Sequence, residues 1–152
     1  NVERINHRLR KKVCKQGFAE GVEKLNDTFD AIILSHVFEH VVNCRKLLDI
    51  LNQKLSKNGV LFLEVPNCSN KEILEHSIFE QPHIHHFTLS GFEQIANKTN
   101  FSILKKDIFY SGLNSLSTHL KFLIYWFIKK DFNVSSHEQT GTEIRIIFLK
   151  TN

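Results

Sequence analysis

The sequence predicts an α/β domain with a parallel sheet, and three features support this prediction. Two apolar runs, at residues 31–34 and 60–65, have the length and uninterrupted apolar character of buried strands in a parallel sheet. The segment between them has helical periodicity. A strand, a helix and a second parallel strand make a right-handed βαβ unit, and ligands of such sheets bind beyond the carboxyl ends of the strands. Here those ends are residues 35–36 and 66–67.

The helix of this unit has a start signal, an apolar face and a stop signal. Asn43 is a suitable N-cap, because its side chain can accept a hydrogen bond from the first turn. The apolar side chains that recur at i, i+3 and i+4 spacing are Cys44, Leu47, Leu48, Leu51 and Leu55. Residues 57–59, Lys-Asn-Gly, predict a basic last turn with glycine just past the helix end.

The residues ahead of the first strand predict a basic amphipathic helix. This helix is expected over residues 2–16, and Gly17 ends it. Its apolar stripe consists of Val2, Ile5, Leu9 and Val13. We interpret the basic side chains as a solvated surface, because charged helix faces are common. Residues 18–20 fit a short strand, and residues 21–25 fit a loop.

Two helices and a strand are expected next in the chain. Residues 71–79 have helical spacing, and a further helix begins at Thr88 or Ser90, where Ser90-x-x-Glu93 fits a capping box. Residues 101–109 then predict a strand.

The end of the chain predicts a long apolar helix and a last strand. The helix, residues 113–130, is too short and too interrupted for a membrane span. We expect it to pack against the sheet, while peripheral contact with a lipid or a lipid-linked substrate stays open. The last strand is expected at residues 143–149.

Composition and charge indicate a soluble domain. The chain has 152 residues, 41% of them hydrophobic and 24% charged, which is typical of one domain with a sizeable core. The net charge of +4 is too small an excess to indicate nucleic-acid binding. Cys14, Cys44 and Cys68 have no paired spacing, and an odd number of cysteines without a signal peptide predicts reduced thiols in a cytoplasmic protein.

Several short motifs near the strand ends occur together in one group of enzymes. They are Phe29-Asp30, residues 36–40 (HVFEH), Asn58-Gly59, residues 64–67 (EVPN), residues 82–88 (PHIHHFT) and Asn100-Phe101. With this combination, over roughly residues 17–109, the chain resembles the class I S-adenosylmethionine-dependent methyltransferases that act on small molecules, sugars and lipid-linked intermediates. The resemblance implies S-adenosylmethionine as cofactor. It also implies a Rossmann-like methyltransferase sheet, mostly parallel with an antiparallel last strand at its edge, and helices on both faces.

The resemblance further implies that an N-terminal part is missing. In this family a first strand, a Gly-rich turn and an acidic strand end precede the segment seen here. The chain opens on Asn1, contains no methionine, and has no G-x-G-x-x-G spacing among its six glycines. We therefore expect residues 1–152 to be a single, N-terminally incomplete domain.

Matching positions in the family imply the residues that bind the cofactor and the acceptor. The cofactor side is implied to include Gly21, Val22 and Glu23, in the loop beside the adenine, together with Ser35 and His36 after the first strand. The acceptor side is implied to include Pro66, Asn67 and His85. Residues 68–87 are expected to cap the site.

Two histidines are candidates for the catalytic base. Methyl transfer is an in-line displacement, so the enzyme mainly supplies orientation and, for some acceptors, a base. Histidine suits this role because its pKa lies near neutrality. His83 and His86 fall on recurring family positions, and we expect one of them to act as base or as acceptor anchor. We do not predict a metal site in the segment 83–86, although it holds three histidines. Adjacent residues of an extended segment point to opposite faces, so these side chains cannot easily share one ion.

A zinc site is a competing interpretation of one motif. His36-x-x-Glu39-His40 matches the H-x-x-E-H motif, in which two helical histidines bind zinc and the glutamate is the base. The motif follows a strand-like run, and Val37 and Phe38 are poor helix formers. A zinc hydrolase is therefore the third hypothesis, and we expect Glu39 and His40 to brace the loop.

Methyl transfer to a small-molecule, carbohydrate or lipid-linked acceptor is the leading hypothesis for function. The alternative is a methyltransferase-like domain without activity that serves as a structural or interaction module. A nucleic-acid methyltransferase is disfavoured, because it would usually carry an Asn/Asp-Pro-Pro-aromatic motif where this chain has residues 34–36, Leu-Ser-His.

Overall fold

The computed structural model describes residues 2–79, 83–110 and 139–151. In these ranges the helices are α1 (Val2–Leu9), α2 (Cys44–Lys54), α3 (Lys71–Phe79) and α4 (Leu89–Asn97), and the strands are β1 (Phe29–Ser35), β2 (Leu55–Pro66), β3 (Phe101–Phe109) and β4 (Glu143–Lys150). Two short 3-10 helices span Ala19–Lys24 and Phe38–His40. The helix predicted over residues 113–130 lies outside the described residues. None of the helices in the described ranges has the length and apolar character needed to span a membrane.

The described strands form one sheet in the order β1-β2-β4-β3. β1 and β2 are parallel, with Ile32 opposite Leu61 and Leu34 opposite Leu63. β4 is antiparallel to both β2 and β3. Three strands thus run in one direction and the last strand runs in the other, which confirms the predicted α/β sheet.

The predicted edge position of β4 was wrong, because β4 lies between β2 and β3. Its burial pattern explains this place in the sheet. Ile144, Ile146 and Phe148 are all fully buried and alternate along the strand. A strand with so apolar a face is more stable in the interior of the sheet than at its edge.

The core lies on the face of the sheet that α2 and α4 cover. Its fully buried side chains from these elements include Leu61, Leu63 and Val65 of β2, Leu47 and Leu51 of α2, and Phe92 of α4. Burial of each such side chain contributes roughly 1.5–3 kcal/mol relative to exposure. This packing fixes the carboxyl ends of β1 and β2 relative to each other.

β1 differs from the buried strand that its apolar run predicts. Within the described ranges β1 pairs with β2 alone. Ile33 is 69% exposed on the face opposite the core. The apolar run alone could not distinguish this arrangement from a strand covered on both faces.

Two of the predicted helix caps were tested by the structure. The side chain of Asn43 caps α2, as predicted. Thr88 caps α4, and its hydroxyl accepts a hydrogen bond from the first turn. The alternative capping box was wrong, because Ser90 lies inside α4 and Glu93 forms an ion pair with β3 instead.

The Lys-Asn-Gly sequence at 57–59 does not end α2, so that prediction was wrong. α2 ends at Lys54, and the buried Leu55 already begins β2. Asn58 has a φ of 62°, and a Cβ atom on Gly59 would lie 2.9 Å from a backbone oxygen. The turn-forming residues therefore produce an irregularity within β2 rather than a helix C-cap.

α1 is about half as long as predicted. It ends at Leu9, and Arg10 has a left-handed φ of 50°. The side-chain oxygen of Asn6 accepts hydrogen bonds from the N–H groups of Val13 (2.8 Å) and Cys14 (2.7 Å). These bonds replace continued helix, because asparagine side chains compete for backbone groups.

The short strand predicted at residues 18–20 does not form. Ala19–Lys24 is a 3-10 helix that packs against α2. The Lys54 amino group donates a hydrogen bond to the carbonyl oxygen of Leu25 and ties the segment to the end of α2.

Candidate active site

The carboxyl ends of β1 and β2 carry a hydrogen-bonded polar cluster. The sheet register pairs Ser35 with Glu64. The Ser35 hydroxyl donates to one Glu64 carboxylate oxygen at 2.7 Å, and Nε of Arg145 on β4 donates to the other at 2.6 Å. The Arg145 guanidinium also lies 3.4 Å from the centroid of the Phe109 ring. Three strands are therefore joined by side chains at this edge.

The pKa of Glu64 is lowered by these contacts. Burial by itself would raise it, but the hydrogen bonds from Ser35 and Arg145 and the positive charge of Arg145 outweigh burial. A carboxylate whose pKa is lower in the folded state than in the unfolded state stabilises the fold above the unfolded-state value of about 4.3. That stabilisation is lost as the pH falls through the folded-state pKa.

We predict that Glu64→Gln lowers the free energy of unfolding by about 1–2 kcal/mol at pH 7. This loss overlaps the lower end of the usual range of about 1.5–3 kcal/mol for a hydrogen bond to a charged group, because the Arg145 side chain is 35% exposed. The difference from the unsubstituted protein should shrink below about pH 4. Urea unfolding of both proteins at pH 7 and below about pH 4 measures this difference in stability. As a control, Glu93→Gln removes an exposed ion pair to Lys106 and should lower the free energy of unfolding by less than about 0.5 kcal/mol. If Glu64→Gln cost no more than Glu93→Gln, the bonds of Glu64 to Ser35 and Arg145 would not stabilise the fold.

His36 lies at the turn after β1 in a strained backbone conformation. Its φ of 51° is in the left-handed region, which few non-glycine residues adopt. Its N–H donates to the carbonyl oxygen of Glu64 at 2.9 Å. Its ring nitrogens lie 3.5–3.8 Å from carboxylate oxygens of Glu39, Glu64 and Glu143. Such strain persists only where the surrounding structure holds it, and it is typical of functional sites.

Glu39 is a buried carboxylate in the 3-10 helix Phe38–His40. Only 1% of its surface is exposed. Its backbone carbonyl oxygen accepts hydrogen bonds from the N–H groups of Ile84 (2.9 Å) and His85 (3.1 Å), so the histidine-rich segment is tied to this helix. Burial raises the pKa of Glu39, and the charges of His36 and His40 oppose that shift.

A cavity of about 310 Å³ opens beside these residues. Its walls include His36, Glu39, His40, Pro66, Ser77 and His83, and we refer to it as the histidine cavity. β1, β2, the 3-10 helix, α3 and the segment after α3 each contribute to it. It therefore lies at the carboxyl ends of the parallel strands, where ligands of such sheets bind.

His83 is the histidine of the 83–86 segment that faces this cavity. Its Nδ1 atom lies 2.7 Å from the hydroxyl oxygen of Ser77 on α3, and its ring is 4.7 Å from that of His40. Burial lowers the pKa of His83, and the nearby histidines lower it further. With Nδ1 bonded to Ser77, the second ring nitrogen, Nε2, is left to serve another partner.

The other predicted acceptor and base residues lie elsewhere. Among the described residues that line the histidine cavity, Pro66 is present, while Asn67, His85 and His86 are not. The Asn67 side chain is fully buried and donates to the carbonyl oxygen of Gly141 at 2.9 Å. His86 is exposed. The ring of His85 lies 6.0 Å from that of Phe87.

The predicted cofactor-binding residues are divided between two places. Gly21 and Val22 line a second, larger cavity of about 860 Å³, which we call the apolar cavity. Its walls include Phe18, Ala19, Leu25, Ile32, Leu34 and Leu51. Glu23 instead forms a surface ion pair with Lys46 at 3.9 Å. Ser35 and His36 belong to the polar cluster at the strand ends.

The residues of the apolar cavity fit one part of the implied cofactor. Ile32 and Leu34 of β1, together with Val22, supply apolar side chains to this cavity, and apolar side chains suit the faces of a purine ring. Gly21 has no heavy atom within 4 Å of its Cβ position, so a ligand can approach the backbone there. Gly21 and Val22 would therefore hold the adenine of S-adenosylmethionine.

Sequence reasoning missed Ser77 and Arg145. Ser77 is buried on α3 and bonds to His83 across a segment whose course cannot be read from local pattern. Arg145 reaches Glu64 from a strand 81 positions later in the sequence. No spacing or composition signal marks either residue.

Comparison with known proteins identifies a family. The model of a methyltransferase domain family matches residues 1–106. No curated protein matches the sequence.

Solved structures share the fold. A crystal structure of a S-adenosylmethionine-dependent methyltransferase from Archaeoglobus fulgidus superposes with a TM-score of 0.63 at 20% identity, over 99% of this chain and 73% of that one. A methyltransferase of the same kind from Thermotoga maritima gives 0.66 at 15% identity, over 97% and 70%. One from Clostridium acetobutylicum gives 0.60 at 9% identity, over 99% and 70%.

Proposed function

The chain belongs to the methyltransferase-domain family, and on this premise we propose that it methylates a small-molecule, carbohydrate or lipid-linked acceptor bound in the histidine cavity. As a methyltransferase of this family it uses S-adenosylmethionine as cofactor. The acceptor class is the part of this function that we propose.

The position and size of the histidine cavity are the observations that carry this proposal. It lies at the carboxyl ends of β1 and β2, and its volume of about 310 Å³ is at the lower end of the range for ligand pockets. Histidine and carboxylate side chains line it, so a polar acceptor with a hydroxyl, amine or carboxyl group would find hydrogen-bond partners there.

S-adenosylmethionine supplies an electrophilic methyl group on a sulfonium sulfur. The chain itself has to orient the acceptor and receive its proton where the acceptor atom carries one. We assign this role to His83, which lines the histidine cavity, because the bond between Ser77 and Nδ1 leaves Nε2 for an acceptor. His83 would either anchor the acceptor by a hydrogen bond or act as the base that takes the acceptor's proton on Nε2.

The remaining acceptor-side residues have supporting roles in this proposal. Pro66 forms a wall of the histidine cavity, and α3 contributes Ile73, His76 and Ser77. Because α3 belongs to residues 68–87, we infer that this segment caps the acceptor. His86, Asn67 and His85 remain proposed acceptor-side residues, to be tested by substitution.

The acceptor class is tested by methyl transfer from S-adenosylmethionine with a labelled methyl group. The full encoded protein would be incubated separately with small hydroxyl and amine compounds, sugars, lipid-linked sugars, and DNA or RNA. We expect labelled product with one of the three groups that are not nucleic acids. Transfer to nucleic acid instead would contradict the proposal. Absence of transfer and of cofactor binding would favour a structural or interaction module.

We predict that Val22→Arg weakens binding of S-adenosylmethionine by at least about tenfold. The substitution places a long charged side chain on the half-buried wall proposed for the adenine, where it would fill the space of the ring and lose hydration when the ring binds. Calorimetric titration measures the change. Asn26→Arg adds the same charge at an exposed position outside the apolar cavity and serves as control. Equal loss in both variants would indicate a charge effect and not a binding site.

A further inference from the structure

Glu39 is a buried carboxylate that has no specific role in the proposed methyl transfer beyond lining the histidine cavity. Within the described ranges neither of its side-chain oxygens has a hydrogen-bond partner of normal geometry, although its own backbone N–H and the His36 ring both act to lower its pKa. Its nearest basic atoms are Nδ1 of His36 at 3.5 Å and Nε2 of His40 at 4.0 Å. Buried carboxylates are costly unless they are paired, hydrogen-bonded or bound to a metal. The location of Glu39 therefore requires an explanation.

Two histidine side chains complete a possible ligand set around this carboxylate. One ligand atom each from Glu39, His40 and His83 can be chosen so that all three lie within 4.8 Å of one another. The three residues come from two places in the chain. The backbone bonds from Ile84 and His85 to Glu39 hold those places together.

The orientation of His83 favours ligation through its outer nitrogen. Ser77 already bonds to Nδ1 at 2.7 Å, and metal-bound histidines commonly have such a partner on the nitrogen that is not ligated. Nε2 of His40 already lies 4.0 Å from a carboxylate oxygen of Glu39, and the His40 ring contacts that of His83. At metal–ligand distances of about 2.0–2.2 Å, ligand atoms lie roughly 3–3.5 Å apart, so a small side-chain movement closes the set.

We propose that Glu39, His40 and His83 bind a divalent first-row transition-metal ion at the wall of the histidine cavity. Two imidazole nitrogens and one carboxylate oxygen suit Zn²⁺, Co²⁺, Fe²⁺ or Mn²⁺ better than Ca²⁺ or Mg²⁺, which favour oxygen ligands. Three protein ligands leave coordination positions open. Those positions face a cavity that His36 and Pro66 also line.

This site differs from the H-x-x-E-H arrangement weighed from the sequence. There His36 and His40 would both bind zinc from one α-helix, with Glu39 as base. The structure has a 3-10 helix over Phe38–His40, and the ring of His36 faces Glu64 and Glu143 as well as Glu39. Glu39 is here a ligand, and the third ligand comes from His83. Of the three histidines in the 83–86 segment, only His83 is a ligand, so neighbouring residues of this extended segment do not have to bind the same ion.

The proposal that this site binds a metal ion does not depend on the proposed function. The effect of the ion on the choice of acceptor does rest on that function. An ion with open positions would hold an oxygen of the acceptor and act as a Lewis acid. Acceptors with two neighbouring oxygen atoms, such as vicinal hydroxyls or a hydroxy acid, would then be favoured. With an ion bound, Nε2 of His83 would be a metal ligand, so of the two roles proposed above His83 would take that of anchor and not that of base.

The test is titration of the purified protein with Co²⁺, followed by the visible absorption of the bound ion, and competition with Zn²⁺. We expect one ion per chain. Glu39→Gln and His83→Ala should each weaken binding by at least about 10–100-fold. His7→Ala, which removes a histidine of α1, should leave the affinity unchanged.

Folding of each variant is checked by circular dichroism, and Glu39→Gln keeps the shape of the side chain. Unchanged Co²⁺ affinity in folded Glu39→Gln and His83→Ala would overturn the proposal, and so would equal weakening in His7→Ala. The titration uses neither cofactor nor acceptor. Failure to bind metal is therefore distinguishable from failure to transfer methyl groups.

Discussion

Replacement of His83 by alanine is expected to lower kcat by about 10²–10⁴-fold, the usual contribution of a positioned acid–base group. His83 faces the histidine cavity and is held by Ser77 at 2.7 Å. Binding of S-adenosylmethionine should change by less than about threefold, because the apolar cavity proposed for the adenine has a different set of walls. Steady-state kinetics and calorimetric titration separate the two effects.

His86→Ala is the matched comparison for this prediction. His86 is exposed and lies three residues further along the same segment. We expect a clearly smaller loss of kcat than in His83→Ala. A larger loss would make His86 the acting residue, and unchanged turnover in both variants would remove the pair from the mechanism. Ser77→Ala should give an intermediate loss, because it frees the His83 ring without removing it.

Phe38→Ala is expected to lower the free energy of unfolding by about 3–5 kcal/mol, the range for truncation of a buried phenylalanine. Phe38 is 0% exposed, and its ring lies 5.1 Å from that of Phe87 and 6.5 Å from that of Phe92. It immediately precedes Glu39 and His40, so the cavity left by its ring would also loosen the wall of the candidate site. Urea unfolding measures the loss.

Two substitutions bracket this effect. Phe38→Leu keeps most of the buried volume and should cost about 1–2 kcal/mol. Phe79→Ala removes a ring that is 82% exposed on α3 and should cost less than about 0.5 kcal/mol. If Phe38→Ala cost no more than Phe79→Ala, the stacked aromatic cluster would not be part of the stabilising core.

The βαβ unit could be predicted from the sequence because its signals are local. Asn43 marks the start of α2, and the two apolar runs mark β1 and β2. The boundaries that failed depended on contacts from elsewhere in the chain. The side chain of Asn6 binds the backbone beyond α1 and shortens that helix. Burial of Leu55 draws it from the predicted helix into β2.

The candidate site was predictable in its location but not in its pairings. Because parallel strands end at the same edge of a sheet, His36 and Pro66 could be expected to lie close together, and both line the histidine cavity. The contact of His83 with Ser77 and the burial of Glu39 depend on where α3 and His83 lie relative to the 3-10 helix Phe38–His40. This arrangement is set by tertiary packing, which local periodicity does not encode.

The most direct test of the central claim is calorimetric titration of S-adenosylhomocysteine and S-adenosylmethionine into the full encoded protein, whatever its length. We predict saturable binding at one site, weakened at least about tenfold by Val22→Arg and unaffected by Asn26→Arg. Absence of binding to the folded protein would contradict it, and the domain would then be a methyltransferase-like module without cofactor chemistry.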